Sequence, residues 1–173
     1  MHSRRLYACV VAAVLAVGSV GVLIAKDSLN IRLRDDCDPA TFDAAIGPGT
    51  CVGQGDTTFD DFLAEFQQTG QVEKWRFNND HAGVDRGTVI TLENRGGETH
   101  TFTQVTQFGG GGIVAPINQI LFGTPTPPTF FFGPLNFIPA GAETTIPSNV
   151  LTPGTHLFFC AIHPWMHETV VVH

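Results

Sequence analysis

Near the end of the chain runs Gly154-Thr155-His156-Leu157-Phe158-Phe159-Cys160-Ala161-Ile162-His163-Pro164-Trp165-Met166-His167. Thr155 to Phe159 has the β-branched and aromatic character of a strand, and that strand delivers a cysteine at its end. A tight loop then offers an imidazole three residues later and a thioether three residues after that. Thiolate, imidazole and thioether together are the soft donor set suited to copper, an ion that cycles between two oxidation states. One further imidazole would complete a trigonal His2Cys site with a weak axial Met. A second strand supplies it in Glu98-Thr99-His100-Thr101-Phe102-Thr103.

Each residue alone has a plainer reading. A single Cys at a strand end is often an inert buried thiol, a strand His is often only hydrogen-bonded, and Met166 and Trp165 could be packing. It is the order and spacing of the set that point to a metal. His2, His81, His156 and His173 have no such pattern around them and are expected to face solvent.

Outward from the site the chain reads as mainly β. Trp75 to Phe77 alternates, as do Val89-Ile90-Thr91-Leu92 and Thr99 to Val105, with Val84 between and turns at Asn78 to Gly83 and Asn94 to Gly97. Strand signals return at Thr144 to Ile146 and at Thr169 to Val172. A Gly-, Pro- and Phe-rich stretch at 108–137 reads as a long loop insertion with one helical turn around Pro116 to Phe122. Short strands joined by turns fit a Greek-key β-sandwich.

Before the strands lies a different segment. Phe59, Phe62, Leu63 and Phe66 form an i, i+3, i+4, i+7 stripe; Asp60 and Asp61 favour the helix dipole and Gly70 is placed as a stop. The spacing predicts a short amphipathic helix over Thr58 to Thr69, its Phe stripe packed on the core. Residues 26–56 read as a loop-rich leader in which Cys37 and Cys51 flank Asp-Pro and Gly-Pro-Gly turns. A disulfide between them would contribute about 3 kcal/mol on chain-entropy grounds. The expected division is thus 1–25, 26–71 and a sandwich at 72–173.

Residues 1–25 pair the basic stretch Arg4-Arg5 with an uncharged apolar run from Leu6 to Ala25, the layout of an export signal. The run is also long enough to span a bilayer, which leaves a cleaved signal and a membrane anchor through residues 6–25 both open. Either places the rest outside the cytoplasm, periplasmic or otherwise extracytoplasmic, where disulfides persist. Cys9 falls inside the run. The formal charge of -7, with 9 Lys and Arg against 16 Asp and Glu, argues against a nucleic-acid partner, which demands a basic face.

With these residues in view, the chain resembles the cupredoxins, in particular the plastocyanin and amicyanin type. The likeness rests on His100, on the Cys160-x2-His163-x2-Met166 loop, on Asn94 and its turn, and on Pro139-Ala140-Gly141. It covers about Trp75 to His173, and extends more loosely to the disulfide leader and helix, which are similar to those of a group of exported bacterial proteins. The resemblance implies one copper ion held by His100, Cys160 and His163 with Met166 axial, and electron transfer between transient redox partners such as a cytochrome or another electron carrier. It implies no enzymatic role. The expected electron exit is the edge of His163, in an exposed loop beside Pro164 and Trp165, with Gly109–Gly112 and Phe130–Phe132 as an apolar rim.

Two departures leave alternatives open. His167 follows Met166 directly and could take the axial position, or Glu98 could add a carboxylate; either would resemble the red copper site of nitrosocyanin, open and catalytic. A periplasmic copper carrier or resistance protein is the other reading, although the chain has two Met in all.

Overall fold

The computed structural model describes residues 28–173; the expected export segment and Cys9 lie outside the described residues. In chain order the strands are β1 Ser28–Arg34, β2 Arg76–Phe77, β3 His81–Val84, β4 Val89–Asn94, β5 His100–Thr101, β6 Thr103–Val105, β7 Phe137–Ile138, β8 Glu143–Pro147, β9 Gly154–Phe159 and β10 His167–Val172. The helices are α1 Pro39–Ala45, α2 Phe59–Thr69 and α3 Ala115–Phe122.

Two four-stranded mixed sheets form a sandwich, in the orders β2-β1-β4-β8 and β3-β10-β9-β6. β5 and β7 make a small ribbon beside them, pairing His100 with Ile138. Alternation fills the space between the sheets. Ile31 and Leu33 of β1 and Ile90 and Leu92 of β4 meet Phe158, Val170 and Val172 of the second sheet in one buried cluster. Phe102, between β5 and β6, stacks on Phe158 at 4.2 Å between ring centroids and meets Phe77 edge-on at 5.5 Å. The stacked pair stands two residues from each of His100 and Cys160 in the chain and so ties together the segments that carry them.

The segment read as a loop-rich leader differs from that expectation. Residues 28–34 form β1, which lies inside the first sheet, parallel to β4 from Ser28↔Val89 to Leu33↔Asn94 and antiparallel to β2. Leu29, Ile31 and Leu33 are its inward residues, with Arg32 and Arg34 outward. α1 follows, capped by Asp38, whose carboxylate accepts from Thr41 N at 3.0 Å, with Pro39 in its first turn. The Cys37–Cys51 disulfide is formed, with its Cα atoms 6.1 Å apart.

α2 matches its expected span to one residue. Thr58 caps it by accepting from Asp61 N, and Gly70 ends it at φ 74°, a left-handed conformation that favours glycine. Phe62 is buried against Phe42 and Trp75, and Phe66 against Phe62 and Trp165; removing each from water contributes roughly 1.5–3 kcal/mol. The 108–137 insertion is folded down rather than free. Asn118 of α3 accepts from Gly112 N at 2.9 Å and donates to the carbonyls of Gly112 and Pro125 at 3.0 and 3.1 Å. Ile113 N donates to Ala161 O at 2.7 Å, so the glycine run is sewn to the loop after Cys160. A Cβ at Gly112 would collide with the Ala161 carbonyl.

Candidate metal centre

The site forms where three strands and one loop meet. His100 opens β5, Cys160 follows β9, and Cys160 to Met166 make a closed loop before β10. Cys160 N donates to Met166 O at 3.1 Å and Met166 N donates to His163 O at 3.0 Å. Pairing of His167 with Phe159 fixes the width of this loop. These bonds turn His163 back over Cys160, and register with β6 brings β5 alongside.

His100 Nδ1 lies 3.8 Å from Cys160 Sγ, and His163 Nδ1 lies 3.7 Å from it. The three ligand atoms are all within 4.8 Å of one another, and the residues are 0 %, 0 % and 2 % exposed. A first-row metal ion held in a trigonal plane at about 2.0 Å from nitrogen and 2.3 Å from sulfur would separate N from S by about 3.7 Å. The donor set thus fits one ion without movement of the backbone. Met166 is buried in the same hydrophobic cluster as Cys160. The arrangement suits a single copper ion in a His-Cys-His-Met environment.

Hydrogen bonds complete the surroundings of the sulfur. Thr101 N points at Cys160 Sγ from 3.3 Å, and Thr101 Oγ1 accepts from Ala161 N. Burial alone would raise the thiol's pKa, but the two imidazoles hold it well below the usual thiol range. The two imidazoles thus favour the thiolate, the form that ligates metals.

Both imidazoles are backed by carboxylates on the nitrogen turned away from Cys160. His100 Nε2 is 2.7 Å from Asp35 Oδ2, with both side chains fully shielded from solvent. Burial would lower the His100 pKa, yet the hydrogen bonds to Asp35 and Cys160 outweigh it and raise it to about 10. His163 Nε2 lies 3.5 Å from Glu98 Oε2, which also accepts from Trp75 Nε1 at 2.5 Å. Burial pushes the Glu98 carboxyl upward.

The structure brings together His100, Cys160 and His163, and corrects several other expectations. Glu98 stands behind His163, at Nε2, and does not face the ligand atoms. His167 belongs to β10, stacks on Phe108 at 4.1 Å between centroids, and is not among the clustered donors. His163 does not sit at an exposed edge. A cavity of about 520 Å³ opens above it, walled by Phe42, Phe59, Phe62 and Phe66 from α1 and α2 and by Ile117 and Ile120 from α3. Phe130 and Phe131 instead pack with Val105, Phe159 and Ala161 in a separate small cluster. His156 is buried too, bonded to Gln104 and to Thr152 O at 2.9 and 2.7 Å, whereas His81 and His173 face solvent as expected.

Sequence reasoning missed Asp35. Its signal was the alternation of Leu29, Ile31 and Leu33, which marks a strand leading straight to it.

Neither a family model nor a curated protein matches the chain. Among solved structures, a copper(I) form of an amicyanin mutant is similar at 16 % identity, over 60 % of this chain and 78 % of that chain, with a TM-score of 0.38. A purple cupredoxin from Nitrosopumilus maritimus is similar at 13 % identity, over 84 % of this chain and 100 % of that one, with a TM-score of 0.42.

Proposed function

We propose that the protein is a mononuclear copper electron carrier of the type 1, blue kind, with His100, Cys160 and His163 as equatorial ligands and Met166 as the axial one. One observation supports this above others: three soft and imidazole donors lie at metal-binding separation in a site closed to solvent. The bound copper would supply a one-electron couple. The protein's part is to hold the ligands so that little moves when the charge changes. β5 and the Cys160–Met166 loop do this through the hydrogen bonds described above, and burial excludes water. A closed site leaves no place for a substrate, which favours a carrier over an enzyme. The positions of Glu98 and His167, one behind a ligand and the other stacked on Phe108, weigh against an open catalytic copper. A carrier or resistance role for the metal itself would call for exposed donors, whereas these are buried.

The partners on this reading are other redox proteins, met transiently. The disulfide and the apolar run at residues 6–25 support a place outside the cytoplasm, released or tethered. The apolar cavity lined by His163, with Ile46 and Ile120 exposed at its rim, is the approach to the ligand set on this reading.

The test is an optical and electron paramagnetic resonance spectrum of the protein loaded with Cu(II). An intense visible thiolate-to-copper band with narrow copper hyperfine splitting is expected, and Cys160→Ser should abolish the band. A wide splitting would point to a tetragonal, open site, and the lack of any Cys-dependent band would overturn the copper reading.

A further inference from the structure

We propose that Asp35 is the positioning residue of the metal centre: its carboxylate locks the His100 ring with Nδ1 turned to Cys160, and its charge biases bound copper toward Cu(II). The proposal deepens the copper reading above and its second half rests on it.

The environment of Asp35 is made entirely of donors. Its two oxygens accept from Gly97 N at 2.8 Å, Glu98 N at 3.0 Å and Cys37 N at 3.3 Å, and meet His100 Nε2 at 2.7 Å. An ionised carboxylate, which only accepts, satisfies all four. An amide in the same place would set an NH2 group against at least one N–H, leaving a buried donor unpaired. With Nε2 committed to donating to Asp35, Nδ1 is the nitrogen left for a metal, and Nδ1 is the atom that faces Cys160. Outer carboxylates of this kind fix the tautomer and orientation of a ligand imidazole and raise its basicity.

The fold is shaped around this contact. Asp35 directly follows β1, and Cys37, two residues on, is tied by the disulfide. On the other side, a Cβ at Gly96 would collide with the Asp35 carboxylate, and one at Gly97 would come within 2.7 Å of Cys37 Sγ and 2.8 Å of Gly53 Cα. The Asn94–Glu98 turn is thus glycine-rich because the disulfide segment presses against it. The stapled segment also walls the cavity over His163 through Phe42; its contribution to His100 is to press Asp35 beneath it. Glu98 is not an equivalent partner to His163, since its contact is longer and shared with Trp75. In a site shielded from water, a negative charge one imidazole away acts through a low dielectric and favours the more positive ion.

The experiment uses the full protein, Asp35→Asn and the conservative Asp35→Glu. In the metal-free wild type, proton–nitrogen correlation spectra of the imidazoles should show a slowly exchanging, downfield proton on His100 Nε2. Asp35→Asn should lose it. In the copper-loaded proteins, the same variant should move the Cu(II)/Cu(I) equilibrium at least tenfold toward Cu(I), about 59 mV upward in midpoint potential for one electron. Asp35→Glu should recover part of both. A variant Asp35→Asn that keeps the Nε2 proton and a potential within twofold of wild type in equilibrium terms would overturn the proposal. So would a wild type with no proton on Nε2, which decides the matter even if Asp35→Asn fails to fold. If the wild type gives no thiolate-to-copper band, the copper reading and the redox bias fall together, while the metal-free spectra still decide the positioning of His100.

Discussion

On the copper reading, Met166 and Cys160 carry different shares of the site, and single substitutions separate them. Met166→Leu conserves volume in a buried position, so it should cost less than about 1.5 kcal/mol of stability. It removes a weak thioether donor that favours Cu(II), so the midpoint potential should rise while the Cys-dependent visible band persists; potentiometry with optical detection checks both. Loss of the band would instead give Met166 a share in holding the plane. The His100, Cys160 and His163 cluster was legible in the sequence because soft donors at short, fixed spacing have few other uses. Asp35 was not legible. A carboxylate beside another carboxylate at the end of a strand carries no mark of its role, since its partner lies 65 positions away. The burial of His163 escaped for a related reason: the residues that cover it come from three helices remote in the chain.

At the scale of elements, the disulfide segment is held by carboxylates as much as by sulfur. Asp36, although burial works the other way, is kept below the ordinary carboxylate range by Lys74 and Thr57; Asp38 is lowered by bonds from Thr41, and Asp43 by the backbone N–H groups of Gly49 and Cys51. A carboxyl whose pKa is depressed on folding adds stability above its unfolded value and loses it as pH falls through the folded value. Lowering the pH below about 3.8, the ordinary value of these groups, should therefore loosen residues 35–57 progressively. Hydrogen exchange followed by mass spectrometry between pH 5 and pH 2 should show this segment losing protection before β9 and β10 do. Simultaneous loss everywhere would mean that the carboxylates do not set the segment's stability. α2 was legible to within a residue because its cap, stripe and stop agree. β1 was not read, although Leu29, Ile31 and Leu33 alternate, because polar outward residues and the turn-rich Cys37–Cys51 stretch beyond it outweighed a short apolar alternation. Which strand it would join is a long-range choice that local pattern does not encode.

Taken whole, the electron carrier proposed above would meet its partners through a face built largely by helices. Ile46 and Ile120, both exposed at the rim of the cavity over His163, are placed to touch a partner without supporting the core. Ile46→Lys with Ile120→Lys should leave stability within about 0.5 kcal/mol per site, as for surface substitutions generally. The same pair should slow electron self-exchange between two copies, measured by line broadening in mixtures of the oxidised and reduced protein, because two like-charged faces would then have to meet. An unchanged rate would move the electron's exit elsewhere. The sandwich itself was legible from strand count and turn spacing, whereas the seating of the 108–137 insertion on the ligand loop depends on Asn118 and Gly112 finding each other in three dimensions. The position of β10 has a consequence of a different kind. It lies between β3 and β9, at the centre of its sheet, and it closes the loop that presents His163. The second sheet has no complete hydrogen-bond ladder until residues 167–172 are in place, and β1 waits for β4 some 60 positions later. Pairings so distant close large loops before any reward is gained, which makes such topologies slow to fold. On the copper reading, the ligand set assembles in its native geometry only once that strand has paired, and a nascent molecule would face stray ions for as long as its final strand is late.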